Sequence, residues 1–400
     1  MKNRISVWGV NFFGAGLALV SSLFVIRLLV DSGFRMLYSF VPQISAGLEV
    51  SITVFGWLLM VRSSSALLSP VLGSLADRYG RRNVMIFALL SQMFGMLGLA
   101  FLKGWWAAIP IFFSGVAVNS YLPAQQAYIS DLVSFERRGR ALASVDMAFA
   151  VSGMTVMPLI GWTLSVYGWK TSFFWLSALS ALAAFLSWRF LPESNPAKDD
   201  VNHVPVSMGS LLRQHNIQAS LGVAALLFTG VGIFMTFWSI WLSADFGFDS
   251  VDLGLMATRI GIAEMFGVIL AGMIVDKLGK QRSSLLGVAM AAIFFVLIPL
   301  GRGNLTTIRV ALVLTVFWLE YSIVSLFPLY GEQAPQARAS IFSLVALANG
   351  VGLALGPVIA TALWERSGLN AITWVAGCSL ALSALLIAFF LHEKVEEKAA

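Results

Sequence analysis

The feature that most constrains this chain is its series of long apolar runs. Twelve runs are separated by short polar segments, at 17–43, 53–75, 84–102, 107–129, 141–165, 172–190, 217–242, 252–275, 284–301, 307–329, 340–363 and 370–391. About 20 apolar residues in a helix span the hydrocarbon core of a bilayer. Only 12% of the residues are charged, against about 25% in ordinary globular chains. The sequence therefore predicts an all-α polytopic membrane protein with twelve transmembrane helices.

The one long hydrophilic stretch divides these runs into two sets of six. We predict an N-terminal six-helix bundle at 1–190, a cytoplasmic linker at 191–216, and a C-terminal six-helix bundle with a short tail at 217–400. Residues 5–16 are also apolar, but a thirteenth span there would reverse the orientation of every later loop. We therefore interpret 1–16 as an N-terminal extension.

A polar hairpin between the second and third runs recurs 199 residues later. The first copy reads G-S-L-A-D-R-Y-G-R-R over 73–82, and its Gly73, Asp77, Gly80 and Arg81 correspond to Gly272, Asp276, Gly279 and Lys280. Glycine permits close backbone approach and a left-handed turn. A period of half the chain indicates two homologous halves.

This ten-residue string resembles the loop 2–3 signature of the major facilitator superfamily, and 272–282 resembles its loop 8–9 counterpart. The resemblance covers the whole chain and implies two pseudo-symmetric bundles with a substrate site between them near the membrane centre. It also implies a cytoplasmic gate in which Arg81 pairs with the acid at the end of span 4. The candidate gate residues are Gly73, Asp77, Arg78, Gly80, Arg81, Asp131, Asp276 and Lys280; the alternative is that these are ordinary solvated loop residues.

Charged residues also lie well inside several apolar runs. Such charges are costly in a membrane, so they pair with one another or face water, and function is the default hypothesis. Asp31 and Arg35 are spaced to share one face of a helix. In the superfamily, spans 1, 4, 7 and 10 line the cavity and spans 2, 5, 8 and 11 flank it. The candidate substrate and proton cavity residues are Asp31, Arg35, Arg62, Tyr121, Gln125, Arg259, Glu264 and Glu320. The alternative is a static structural role; Asp146 fits either the cavity or the gate.

Several chemistries are excluded or disfavoured. All three histidines lie outside the apolar runs, so proton coupling would need carboxylates. One cysteine cannot form an intrachain disulfide or a cysteine-based metal site. No phosphate-binding G-x-x-x-x-G-K-[ST] string occurs, so we expect no enzyme activity and no cofactor, only the proton gradient. Many proton-linked exporters of the superfamily carry an arginine four residues before a span 4 glycine. Here Ile111 stands four residues before Gly115, which weakens the resemblance to drug/proton antiporters.

Trp241, near a span end, is interpreted as an interface anchor.

Lysine and arginine concentrate in alternate loops, which predicts an inner-membrane protein with both termini cytoplasmic. That distribution accounts for the +6 charge without nucleic acid. The expected partners are a small-molecule substrate and the bilayer, with the monomer as the functional unit. We expect proton-coupled alternating access. Export of an amphipathic or anionic compound is favoured, because three arginines face the presumed cavity and Gly356-Pro357 resembles an antiporter signature. The alternatives are an uptake permease for an anionic metabolite and a non-transporting receptor or sensor.

Overall fold

The computed structural model describes residues 16–193, 211–334 and 338–393, apart from the side chains of residues 70, 77, 135, 136, 338 and 339. Throughout these ranges the regular structure is helical, without strands. The helices are α1 (Leu17–Ser39), α2 (Val41–Gly47), α3 (Ile52–Ser64), α4 (Ser69–Tyr79), α5 (Arg81–Phe101), α6 (Ala108–Leu132), α7 (Phe135–Asp146), α8 (Ala148–Val151), α9 (Met157–Tyr167), α10 (Trp169–Phe190), α11 (His215–Phe246), α12 (Ser250–Leu278), α13 (Lys280–Leu297), α14 (Leu305–Gln333) and α15 (Arg338–Phe390).

Ten helical segments of the described chain are long and apolar enough to cross a membrane, or eleven if one bent pair counts as a span. The last segment, Ser340–Phe390, contains two spans because Gly368 interrupts it with φ 70° and ψ −167°. The bent pair is Val41–Gly47 with Ile52–Leu68. Its second part, α3 and the 3₁₀ turn Ser65–Leu68, continues into α4 as the second span. With these two adjustments the fold has the twelve spans that the apolar runs predict.

Glycines with positive φ end helices at matching places in the two halves. Gly80 and Gly279 have φ values of 92° and 89° in the two polar hairpins. Gly104 and Gly303, 199 residues apart, and Gly168 and Gly368, 200 residues apart, form two more pairs, and all four also have positive φ. Residues with a Cβ rarely adopt this backbone region. The half-chain repeat is therefore present in the backbone as well as in the hairpin sequence.

Of the described residues, the first unit contains 16–193 together with 248–261. Helix α1 lies within it and packs against α6, α7, α8 and α10. Span 5 contains a π-helical turn, Ser152–Val156, immediately before α9. Pro158 follows that turn, and proline lacks the N–H that an α-helix would need there. In the same unit, the Thr258 hydroxyl donates to the Met154 carbonyl over 3.3 Å.

The second unit contains the described residues of 211–247 and 262–393. Its helices α11 and α15 pack closely along glycines, since a Cβ on Gly356 would lie 2.6 Å from the Gly232 Cα. Small residues at helical spacing allow such close contact in membranes. The Gly356-Pro357 pair therefore lies in a packing face between two helices of one unit.

The interpretation of Trp241 as an interface anchor is wrong. Its side chain is fully buried inside the second unit, stacked on Phe237 with 6.3 Å between ring centroids. The indole Nε1 donates to Asp245 over 2.8 Å. A buried tryptophan needs such an acceptor for its N–H, and Asp245 supplies it one helical turn away.

Candidate functional site

A buried polar cluster lies in the first unit around Arg27, which the sequence analysis missed. The Arg27 Nε donates to Asp31 Oδ2 over 2.7 Å, and its Nη1 lies 3.1 Å from Asp146 Oδ1. The same Nη1 donates to Gln125 Oε1 over 3.4 Å. Arg27 therefore connects two carboxylates and an amide that come from α1, α7 and α6.

The two carboxylates differ sharply in their access to water or lipid. The Asp31 side chain is 3% exposed and that of Asp146 is 46% exposed. Tyr121 lies four residues before Gln125 on α6, fully buried, and its hydroxyl has no hydrogen-bond partner within the described chain. The cluster thus joins an enclosed acid to an accessible one through a single guanidinium group.

The sequence placed Asp31 and Arg35 four residues apart on one helical face, as cavity residues or, alternatively, as a structural pair. The structure shows a pair of the same spacing on the other side of Asp31, with Arg27. The signal was available, because four residues toward the N-terminus is as close on a helix as four toward the C-terminus. Asp146 and Gln125 lie 119 and 98 residues from Arg27 in the chain. No local sequence pattern predicts contacts over such separations.

Arg35 lies against span 5 near its π-helical turn. Its Nε donates to the Phe149 carbonyl over 3.1 Å, and its guanidinium carbon sits 3.8 Å from the centre of the Phe149 ring. A Cβ on Gly153 would lie 3.1 Å from the Arg35 Nη1. The absence of a side chain at Gly153 therefore leaves room for this guanidinium.

Arg62 is buried between α3, α6 and α1. Its Nε donates to the Ser114 hydroxyl over 3.2 Å, and its guanidinium lies 4.5 Å from the centre of the Phe34 ring. Its own carbonyl lies so close to Gly115 that a Cβ there would collide with it. These contacts fit the structural alternative for Arg62, a packing tie between helices.

The remaining predicted cavity residues lie on α12 and α14. Glu264 is buried and Glu320 half-buried, both in the second unit. Their helices touch at Gly267, where a Cβ would lie 3.2 Å from that of Glu320. Arg259 has an exposed side chain and belongs to the part of α12 that packs with the first unit. The structure thus brings Asp31, Gln125 and Tyr121 into one neighbourhood and places Glu264 and Glu320 in another.

The polar hairpins carry equivalent ion pairs in the two halves. In the first, Arg81 Nε lies 3.6 Å from Asp131 Oδ2, with both side chains 18% exposed. In the second, Lys280 pairs with Glu332. Asp276, Arg78 and Tyr79 are exposed, and a Cβ on Gly73 would meet open space. The Asp77 side chain lies outside those described.

A second set of contacts ties each hairpin to the end of its bundle's last helix. Arg82 donates to the Leu191 carbonyl over 2.9 Å and to Glu193 over 2.8 Å. In the other half, Gln281 donates to the Ile387 carbonyl over 3.2 Å. The Lys280 backbone N–H donates to Glu393 over 3.0 Å. Each hairpin therefore holds its own bundle's sixth helix.

Comparison with known proteins gives a consistent result along the whole chain. The model of the Major Facilitator Superfamily matches residues 23–228 and 220–400. The multi-drug resistance efflux pump PmrA of Streptococcus pneumoniae is 27% identical over 420 residues, covering 98% of this chain and 97% of PmrA. Multidrug resistance protein 2 of Bacillus subtilis is 26% identical, with 85% and 87% covered.

A solved structure shows the same fold. The inward-open xylose transporter XylE of Escherichia coli superposes with a TM-score of 0.78, at 14% identity, over 95% of this chain and 97% of XylE. Together with the twelve spans and the repeated hairpin, the family match assigns the chain. It belongs to the Major Facilitator Superfamily and is a multi-pass membrane transporter, not an enzyme.

Proposed function

We propose that this transporter exports an amphipathic or anionic organic compound in exchange for protons, with Asp31 as a proton-carrying group. The observation that carries the proposal is the Arg27–Asp31–Asp146 cluster, buried in the first span and shared with two other helices. Charged groups within a membrane mark substrate and proton pathways. A span with a purely structural role would be more stable in the membrane with apolar residues at these positions.

The arrangement suits a proton exchange because one cation serves two acids. When Asp31 takes a proton, Arg27 retains Asp146 and Gln125 as acceptors, so the guanidinium is never left alone in the membrane. Asp146 gives protons a path from the surface to this cluster, because nearly half of its side chain is accessible. The binding of a proton therefore changes which contacts hold α1 to α7, and alternating access requires contacts with such a two-state character.

Export and substrate class have separate support. The relatives PmrA and multidrug resistance protein 2 are named for drug resistance, which favours export over uptake. The guanidinium groups of Arg27 and Arg35 lie within the spans of the first unit, and their positive charge favours an anionic or strongly polarised group on the substrate. Cationic drugs would instead need Glu264 and Glu320 of the second unit.

The orientation follows from the distribution of cations. We propose that both polar hairpins and both termini face the cytoplasm, in the inner membrane, because lysine and arginine concentrate in those loops. The Arg81–Asp131 and Lys280–Glu332 pairs then form the cytoplasmic gate, partly exposed and therefore weak enough to open in each cycle. We propose the monomer as the transporting unit, since each bundle closes its own contacts.

The test is proton-driven flux in proteoliposomes, with substrates first chosen by thermal-shift screening of drugs and metabolites on purified protein. We expect Asp31→Asn to abolish proton-driven transport while retaining substrate exchange without a gradient. Glu49→Gln is the matched control, because Glu49 pairs with Lys103 at an exposed position and should transport normally.

Two outcomes would contradict the proposal. Full proton-driven transport by Asp31→Asn would remove Asp31 from coupling. A wild-type protein that binds compounds but neither moves them nor dissipates a proton gradient would favour the receptor or sensor alternative.

A further inference from the structure

An apolar groove runs along the side of the first unit, on the face of α1 away from Arg27. It has a volume of about 860 Å³ and lies between α1, α9 and α10. Its walls include Val25 and Leu29 of α1, Leu159 of α9, and Leu182 and Phe190 of α10. Leu182 and Phe190 are more than half exposed. The groove therefore opens sideways, toward the hydrocarbon of the bilayer.

One end of the groove contains a buried serine hydroxyl that no neighbouring group among the described residues satisfies. Ser187 lines the groove and is 1% exposed, yet its hydroxyl has no hydrogen-bond partner in the described part of the chain. A buried hydroxyl without a partner costs free energy. A serine inside a helix can bond to the carbonyl four residues back, as Ser180 does with Leu176, but Ser187 does not. Ser187 therefore places a hydroxyl with unmet hydrogen-bonding capacity beside the groove.

A cation stands at the same end. Arg189 is exposed at the edge of the lining face of α10, with its guanidinium 5.3 Å from the centre of the Phe190 ring. Trp188, 60% exposed, sits next to it. Tryptophan and arginine near a span end are typical of the membrane–water interface. The groove thus has an apolar length within the bilayer and a cationic, hydrogen-bonding end at its surface.

We propose that this groove binds an anionic phospholipid, with an acyl chain along α1 and α10 and the phosphate at Arg189 and Ser187. On the orientation proposed above, the lipid belongs to the cytoplasmic leaflet, where basic residues near a span recognise anionic headgroups. The chain's own residues 1–15 are a less suitable occupant, because their charged residues, Lys2 and Arg4, match Arg189 in sign.

The test uses the full-length protein in phosphatidylcholine nanodiscs that contain photoactivatable lipids. Diazirine-acyl phosphatidylglycerol and diazirine-acyl phosphatidylcholine with identical chains are crosslinked separately, and labelled peptides are mapped by mass spectrometry. We expect phosphatidylglycerol to label peptides from 17–32 and 175–191 preferentially. One arginine near a membrane surface contributes ~1 kcal/mol to binding an anionic headgroup, so Arg189→Gln should lower that preference about fivefold.

A second variant keeps the test independent of the headgroup contact. Leu182→Trp fills the groove and should reduce labelling of these peptides by both lipids. Leu90→Trp is the matched control, a partly exposed position on α5 outside the groove, and should leave the pattern unchanged. Labelling spread evenly over exposed helices, or equal labelling by the two lipids, would overturn the proposal. Absence of label from the groove would overturn it in favour of residues 1–15. Because labelling is measured without transport, its failure leaves the proposed export function standing.

Discussion

Removing Arg27 should cost more stability than removing either of its acidic partners. Arg27→Met leaves Asp31 buried with its ion-pair partner gone, and breaking a buried pair from one side typically costs ~3–5 kcal/mol. Asp146 adds little to this loss, because a carboxylate with 46% of its side chain exposed contributes ~1 kcal/mol or less through an ion pair. We therefore expect Arg27→Met to lower the free energy of unfolding by about 3–5 kcal/mol.

The acid side of the pair should behave differently. Asp31→Asn leaves Arg27 with Asp146 at 3.1 Å and Gln125 at 3.4 Å, so the lost charge-assisted hydrogen bond should cost only ~1.5–3 kcal/mol. The double variant Arg27→Met, Asp31→Leu removes both charges. Replacing a buried pair by apolar residues is often close to neutral, so it should recover most of the stability lost by Arg27→Met.

The assay is equilibrium unfolding in mixed detergent micelles, followed by tryptophan fluorescence, for both single variants and the double variant. Lys103→Met is the matched control, since Lys103 makes an exposed pair with Glu49 and should cost under ~1 kcal/mol. Neighbouring residues that share an interaction give non-additive effects. Additive costs for Arg27 and Asp31, or a cost for Arg27→Met as small as that for Lys103→Met, would refute the cluster as a coupled unit.

Three further predictions concern packing and the hairpins. Gly115→Val should prevent stable folding, because a Cβ there collides with a backbone carbonyl of α3, and size-exclusion chromatography of the expressed protein would show it. Gly80→Ala, at φ 92°, should cost ~1–2 kcal/mol in the same unfolding assay, whereas Gly73→Ala, a helical position facing open space, should not. Arg81→Asp and Asp131→Arg should each reduce flux in proteoliposomes and restore it when combined; a double variant as inactive as the singles would exclude direct pairing in the gate.

The sequence was sufficient for the architecture because the bilayer constrains it so strongly. Run length alone gives the twelve spans, and the spacing of Gly80 and Gly279 gives the repeat. Both glycines have positive φ, so the same backbone conformation explains why glycine occurs at this position in both hairpins. The interruption at Gly368 followed from the same pattern.

The site was less predictable, since its contacts join distant parts of the chain. Asp31 and Gln125 could be proposed from their positions in apolar runs, but the residue that joins them, Arg27, gains its importance only from α6 and α7. Trp241 shows the same limit. Its place near a span end is typical of an interface anchor, but its aromatic neighbours and Asp245 place it inside the bundle.

The proton site and the lipid groove share helix α1. If α1 moves as a rigid body, both of its faces move together. Arg27 and Asp31 face α6 and α7, while Val25 and Leu29 line the groove toward α10. A movement of α1 that separates Arg27 from Asp146 must also reshape the groove. If a bound lipid favours one position of α1, protons and lipid are coupled, and coupling between two binding equilibria is reciprocal. Phosphatidylglycerol should therefore shift the pH at which proton-driven flux is half-maximal, and Arg189→Gln should diminish that shift while leaving the flux in phosphatidylcholine unchanged.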